Sequence, residues 1–340
     1  MLNSEDIYFS KLKNFLENKG LNPLKIEPLT PDASTRRYFR LFFPDSSKIA
    51  MVIGELDRKI IFEEIMEKQI NFEELPFVNI GRFLRKNGVK VPEIYIDGKE
   101  VLILEDFGSV PLDVFVKQNG LEKALPFYYS AISELVKMQT SEEDRKCYAF
   151  ELSFSERMFL WEFNHFTEYF MGFRLEEDKE MQKEFTEISK ALSKTRYVFT
   201  HRDFHSKNLM CLENYMVGIL DFQDALLAPY TYDLVSLTAD AYVDIDESTE
   251  KILVERYKEL AGEKILTEDF EDLYNMTAVQ RTLKAAGRFM YIFKQKRNEK
   301  FLPYVIPAAS KGIRYMKKLK MNSWRKVQEM FLILNIPQKA

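Results

Sequence analysis

Cysteine, histidine, glycine and proline are all scarce in this chain of 340 residues, at 2, 3, 12 and 12. The two cysteines, Cys147 and Cys211, lie far apart and form no C-x-x-C pair. That excludes a disulfide framework and points to a reducing compartment. So few glycines and prolines argue against long flexible linkers. There is no run of about 18 apolar residues, so nothing is expected to span a membrane. The first residues, Met1-Leu2-Asn3-Ser4-Glu5-Asp6, are acidic rather than basic, unlike a secretory signal. A cytoplasmic protein is expected, and a monomer. The net charge of −4 is shared evenly by residues 1–108 and 109–340, so no basic region advertises nucleic acid. What is abundant is core material: 46% hydrophobic residues, with 28 Phe and 17 Tyr. The length suits two domains or one large two-lobed one.

Two of the three histidines fall within one polar window between apolar runs. It reads His201-Arg202-Asp203-Phe204-His205-Ser206-Lys207-Asn208, followed by Gly218-Ile219-Leu220-Asp221-Phe222-Gln223-Asp224. H-x-D-x₄-N, a short hairpin, then an apolar strand ending in Asp is the layout of a kinase catalytic loop and its metal-binding Asp. In that chemistry one Asp handles the proton of the acceptor hydroxyl, here Asp203. An Asn and a second Asp hold Mg²⁺ against the nucleotide phosphates, here Asn208 and Asp221. The plain alternative is a cluster of turn formers and packed histidines. The full spacing argues against it, because each residue has a separate geometric role.

The rest of the chain fits around this motif. An amphipathic helix is predicted over 5–19. Strands are predicted over 25–29, 37–43, 48–53, 93–96 and 100–104, with helices over 59–70 and 77–87. Beyond Pro111 the pattern is helical, over 121–140, 153–171, 177–194, 247–261, 267–297 and 305–334. The fold class is therefore α+β: a two-lobed protein-kinase-like fold, with a small antiparallel five-stranded β lobe and a larger, mainly helical lobe. Residues 1–108 form the nucleotide-binding lobe and 109–340 the lobe with the catalytic loop and acceptor site. Leu104-Glu105-Asp106-Phe107-Gly108 is the hinge, with Glu105 a nucleotide-contact candidate.

A protein kinase places a glycine-rich loop between its first two strands. Here Pro31-Asp32-Ala33-Ser34-Thr35-Arg36-Arg37-Tyr38-Phe39-Arg40 stands there without glycine. Ser34 and Thr35 offer hydroxyls and backbone N–H groups to phosphate, and Arg36 offers a bidentate charge. An ordinary polar hairpin is the competing reading. The third strand, Ala50-Met51-Val52-Ile53, lacks the Lys that usually meets the phosphates. Lys48 precedes it and Lys59 follows it.

These blocks together resemble the aminoglycoside phosphotransferase-like kinases. Within them they resemble the bacterial cell-wall-recycling N-acetylmuramate/N-acetylglucosamine anomeric kinases. The likeness is carried by Asp32–Arg40, Leu102–Gly108, Thr200–Met210 with Leu220–Ala225 and Tyr232–Leu237, and Gln280–Lys284. It implies ATP- and Mg²⁺-dependent phosphorylation of the anomeric hydroxyl of an amino sugar. It also implies that Asp233 holds the catalytic loop, and that a strand-three Lys is dispensable. Gly54-Glu55 departs from the family pattern, and Trp161–His165 matches it only in part.

Acceptor contacts are expected near Asp203. Gln223 and Asp224 directly follow the metal Asp. Glu162 and Glu168 recur at near-helical spacing and are both candidates to reach the site, with a solvated helix face as the alternative for each. Arg281, Lys284 and Arg288 share one helix face, which suits a carboxylate such as a lactyl group or else faces solvent. His165 reads as a packed histidine. A kinase for another small alcohol, such as an aminoglycoside or choline, and a regulatory pseudokinase remain as competing functions. An intact Asp203, Asn208 and Asp221 count against the latter.

Overall fold

The computed structural model describes residues 4–29, 36–54, 59–60, 70–71 and 73–334. A helix α1 (Ser4–Lys19) precedes three strands, β1 (Lys25–Leu29), β2 (Arg37–Phe43) and β3 (Ser46–Val52). The short strands β4 (Lys59–Ile60) and β5 (Ile70–Asn71) pair with each other. The helix expected over 59–70 is therefore replaced at both ends by a two-stranded ladder. Then come α2 (Pro76–Lys86), β6 (Ile94–Asp97) and β7 (Val101–Glu105). The main sheet is fully antiparallel, in the order β1-β2-β3-β7-β6.

Alternation along these strands divides the sheet into two faces. Phe39, Leu41, Ala50, Val52, Val101 and Ile103 pack on Leu12 and Leu16 of α1. Met51, Leu102 and Leu104 face the other way, into the large core shared with α2 and the helical lobe. Lys48 has the parity of the outer face, and its ammonium lies over the Tyr95 ring at 3.6 Å. It is not the missing phosphate lysine. On the cleft side Arg40 binds the hinge: its guanidinium meets Asp106 at 2.7 Å and donates to the Gly108 carbonyl at 2.6 Å.

The helical lobe contains α3 (Leu112–Asn119), α4 (Leu121–Gln139), α5 (Glu156–Phe166) and α6 (Lys179–Lys194). The short strands β8 (Tyr197–Thr200), β9 (Leu209–Cys211), β10 (Val217–Ile219) and β11 (Leu226–Pro229) follow. The chain then continues through α7 (Tyr232–Thr238), α8 (Glu247–Ala261), α9 (Phe270–Lys296), α10 (Val305–Lys318) and α11 (Trp324–Leu334). The helix expected over 305–334 breaks at Lys320, whose φ of 56° is left-handed. The Ser155 hydroxyl caps α5 by accepting from Met158 N at 3.2 Å. A π-turn, Thr167–Met171, ends that segment. Among the described residues no helix is long and apolar enough to cross a membrane.

Two close approaches set the frame around the cleft. Phe222 of the Asp221-Phe222-Gln223 segment stacks on Phe77 of α2 at 4.7 Å. Gly81 leaves room for it, since a Cβ there would lie 3.2 Å from the Phe222 ring. Further back, α5 crosses α9 at Gly287, where a Cβ would meet the Phe166 Cα at 2.6 Å.

Candidate active site

Two short ladders fix the loop ends. β8 pairs with β11, matching Thr200 to Leu226, and β9 pairs with β10, matching Leu209 to Ile219. The polar residues between these ladders converge at one end of the cleft. Their backbone is held by buried side chains. Asp233, fully buried at the start of α7, accepts from His201 N at 2.6 Å and Arg202 N at 3.0 Å. Burial raises the Asp233 carboxyl to about 6, against the lowering effect of His201 and of these N–H donors. His201 bridges the two halves of the motif. Its Nδ1 accepts from Asp203 N at 3.3 Å, so Nε2 carries the proton donated to the Leu220 carbonyl at 2.8 Å. Arg202 and Asp221 have positive φ values of 76° and 63°. Such conformations cost non-glycine residues free energy and cluster at functional sites.

Asp203 projects from this locked loop with its side chain 44% exposed to the cleft. Burial pushes its carboxyl up, but Lys284, Arg281, His205 and Arg202 outweigh this and hold it well below the usual carboxylate range. The Arg281 guanidinium stands 3.6 Å from Asp203 Oδ1 and donates to the Tyr232 hydroxyl at 3.1 Å. Asn208 Nδ2 donates to the Asp203 carbonyl at 2.9 Å, which leaves its oxygen as the outward end of the amide. Asp221 is exposed to the cleft and receives the Gln223 amide at 2.8 Å. The same amide reaches Asp224 at 3.3 Å. Burial raises the Asp224 carboxyl, Asp221 and Asp203 add to that, and the charges of Arg202 and Arg36 oppose it.

The structure thus brings Asp203, Asn208, Asp221, Gln223, Asp224 and Arg281 together. Arg36, just before β2, is close enough for its charge to reach Asp224. Ser34 and Thr35 lie outside the described residues. Glu105 sits at the end of β7 with its carboxylate engaged by Lys90 at 2.7 Å and Glu93 N at 3.1 Å. Glu162 is buried rather than solvated. Its carboxylate takes the Gln280 amide and pairs with Lys284 at 3.2 Å. It lines the cavity by holding a cation there. The side chains of Arg281 and Lys284 are only 10% and 19% exposed, so this strip is a cavity wall and not a wet helix face. His165 is packed, with its ring against Trp161 at 5.1 Å and Tyr169 at 4.6 Å.

Sequence reasoning missed Asp106 and Asp240 as anchors. Asp106 takes Arg40, the Ser47 hydroxyl at 2.7 Å and Gly108 N at 2.9 Å. Asp240 accepts from Ser206 N and Tyr242 N, both at 2.8 Å. The Asp106-x-Gly108 turn was the available signal for the first. The second had none.

The resulting cavity is about 350 Å³, with Asp203, His205, Asp224, Glu162, Arg281 and Lys284 among its walls. That volume suits a small molecule. Among the described residues no group of three or more His, Cys, Asp and Glu is arranged for a metal. Asn208 and Asp221 instead offer the sparse oxygen set with which Mg²⁺ is usually held beside phosphates.

Comparison with known proteins places the chain among kinases. The N-acetylmuramate/N-acetylglucosamine kinase of Neisseria meningitidis is 29% identical over 318 residues, covering 87% of each chain. The protein of the same name from Pseudomonas aeruginosa is 31% identical over 295 residues, covering 82% of this chain and 80% of its own. Among solved structures, the ADP-bound aminoglycoside phosphotransferase APH(2'')-Ib superimposes with a TM-score of 0.58 at 14% identity, over 88% of this chain and 96% of that one. The choline kinase LicA from Streptococcus pneumoniae gives 0.59 at 10% identity, over 91% and 98%. At these identities the two structures speak for the protein-kinase-like fold alone. The model of the phosphotransferase enzyme family matches residues 73–266, a span that includes Glu105, the 201–208 loop and Asp221. With that match, and a relative above 30% identity along most of its length, the chain belongs to the phosphotransferase enzyme family.

Proposed function

We propose that this enzyme is a sugar kinase. It transfers the γ-phosphoryl group of ATP to the anomeric hydroxyl of an amino sugar, N-acetylmuramate or N-acetylglucosamine. The observation that carries this reading is the charge of the acceptor wall. Arg281 and Lys284, largely shielded, stand beside Asp203 and Glu162. Glu162, Asp203 and Asp224 share that wall, so what favours an amino sugar is the pair of fixed cations open to its acetyl oxygen or lactyl carboxylate, groups that choline and the aminoglycosides lack. The names of the relatives from Neisseria and Pseudomonas support the same substrate class.

In this reading residues 1–108 hold the nucleotide and 109–340 the acceptor. Arg36, with Ser34 and Thr35 beside it, serves the phosphates in place of a strand-three lysine. The hinge at Glu105 receives the base. Asn208, through its oxygen, and Asp221 would hold Mg²⁺, which would supply positive charge against the phosphates. Asp203 orients the acceptor hydroxyl and takes its proton as the sugar oxygen bonds to phosphorus. The bond to the bridging oxygen breaks and ADP departs. A carboxylate held below its usual range is a weak base. That suffices for an anomeric hydroxyl, which is more acidic than an ordinary alcohol, and for a loose transition state that needs mainly positioning. Gln223 and Asp224 hydrogen-bond sugar hydroxyls. The two free thiols suit a cytoplasmic enzyme, where ATP is available.

The test is ³¹P NMR of products from a sugar panel with ATP and Mg²⁺. A non-reducing, acid-labile sugar 1-phosphate is expected. A reducing, acid-stable product, or faster turnover of kanamycin-like acceptors, overturns the assignment.

A further inference from the structure

We propose that the acceptor cavity continues into a second sugar subsite at Tyr169, Tyr291, His165 and Trp161, so that the enzyme also accepts reducing disaccharides of amino sugars. This rests on the amino-sugar reading above and extends it to longer acceptors. The argument starts from α5 and α9, which lie side by side and whose pairings advance in step. Glu162 meets Lys284 at 3.2 Å, Phe166 packs on Gly287, the rings of Tyr169 and Tyr291 meet at 4.9 Å, and the Tyr169 carbonyl accepts from Lys294 at 2.7 Å. Along α9, Arg281, Lys284, Arg288 and Tyr291 stand at i, i+3, i+7 and i+10, on one face. At 1.5 Å per residue this stripe is about 15 Å long. One end touches Asp203 through Arg281. The other ends in aromatic rings.

A second cavity of about 330 Å³ lies at that aromatic end and shares Trp161 and His165 with the first. Asn164, Glu168, Tyr169 and Tyr291 complete it. His165 is the centre of the cluster, with Trp161, Tyr169 and Tyr291 rings at 5.1, 4.6 and 5.1 Å. Aromatic faces rimmed by a carboxylate, an amide and phenols suit a pyranose. Its C–H faces lie over rings while its hydroxyls reach the polar rim. A cationic occupant is disfavoured, because the Arg288 guanidinium already stands over Tyr291 at 5.0 Å. The direction also fits. A sugar presenting its anomeric hydroxyl to Asp203 points its opposite end away from the loop. A second ring linked there would follow the stripe.

The probe is N,N′-diacetylchitobiose against N-acetylglucosamine, with wild type, Tyr169→Ala and Tyr291→Ala. Both tyrosines line only the second cavity. Wild type is expected to phosphorylate the disaccharide. Each variant is expected to lower the kcat/KM ratio of disaccharide to monosaccharide about tenfold, the loss of one stacking contact. The chain has 2 tryptophans. In a Trp324→Phe background, Trp161 emission therefore reports binding directly and should respond to the disaccharide. If wild type phosphorylates N-acetylglucosamine but neither turns over nor binds the disaccharide, the second subsite is refuted and the amino-sugar reading stands. An equal loss for both sugars in the variants also refutes it, since the rings then only support the fold. If the disaccharide, N-acetylglucosamine and N-acetylmuramate are all left unphosphorylated, the amino-sugar reading falls and takes this inference with it.

Discussion

The two walls of the cleft use their charged residues differently. On the small-lobe wall, β2 and β3 turn Tyr38, Arg40, Ile49 and Met51 toward the cleft side. Arg40 is engaged by Asp106, Lys48 is on the outer face over Tyr95, and Arg37 faces Tyr8 at 5.5 Å. On that wall the charge of Arg36 reaches Asp224. The helical wall is the opposite. Arg281 and Lys284 are buried there and fixed by Tyr232 and Glu162. Buried charges need fixed partners, and fixed partners make a rigid wall. The difference teaches that the helical lobe carries the preorganised electrostatics. The small lobe contributes a clamp with one cation near its edge.

Four substitutions, the last read through a pH profile, sharpen this contrast. The largest effect is expected at the centre of the helical wall. Asp203→Ala should lower kcat about 10³-fold, the usual worth of a positioned acid–base group, while ATP binding stays within about twofold. Turnover in the folded variant, set against calorimetric ATP affinity, checks this. Retention of a tenth of the wild-type rate would remove Asp203 from the proton transfer. The matching change on the small-lobe wall is Arg36→Met. Loss of one charge-assisted contact, about 1.5–3 kcal/mol, should raise the KM for ATP by at least tenfold. The sugar KM should change little. A shifted sugar KM with normal ATP kinetics would make Arg36 part of the acceptor wall instead.

The two walls were also unequally legible in the sequence. The 201–208 loop could be picked out residue by residue, because its pattern is local: spacing singled out Asp203 and Asn208 and put Asp221 beyond a hairpin, while the Asn208 contact with the Asp203 carbonyl came from the structure. The five sheet strands were legible as short apolar or alternating runs between turn formers, with β7 a continuous apolar run buried on both faces. The acceptor wall was visible only as a basic stripe on α9. Its burial depends on Glu162 meeting Gln280, 118 positions away, and no local pattern encodes that. The helix α7 was missed for a related reason. All of its residues are buried, so it has no amphipathic period to detect. The 59–70 segment carried helical spacing, yet its ends pair as strands.

The third substitution tests whether the helical wall is as rigid as its packing implies. At Gly287 an added Cβ would meet backbone, the Phe166 Cα at 2.6 Å and N at 3.0 Å, and not a yielding side-chain tip. Gly287→Ala must therefore push α5 from α9. A loss of about 1–3 kcal/mol is expected, as for other overpacked cores, and thermal or denaturant unfolding measures it. The same shift separates Glu162 from Lys284, so the sugar KM should rise with ATP KM unchanged. Unchanged stability would mean that the two helices can part freely.

The smallest effect concerns proton affinity, and it isolates the wall's electrostatic role from its packing. In wild type, Lys284 and Arg281 overcome burial and depress the Asp203 carboxyl. Asp203 acts as the ionised form, so activity should persist as pH falls, with no acid limb near the ordinary carboxylate value of about 3.9. Arg281→Met removes one of the two leading cations while keeping a long side chain against Tyr232. The sign follows directly: losing a nearby positive charge destabilises the carboxylate and raises its pKa. The acid limb of kcat/KM should then move upward by about one pH unit, the lower end of the usual effect of a neighbouring opposite charge. Added salt should narrow the gap between wild type and variant only in part, because Arg281 is shielded while Asp203 is open to the cleft. Profiles at saturating ATP, carried from pH 8 down to the lowest pH at which both proteins stay folded, decide it. An acid limb that does not move would show that Arg281 holds Asp203 in place without setting its charge state.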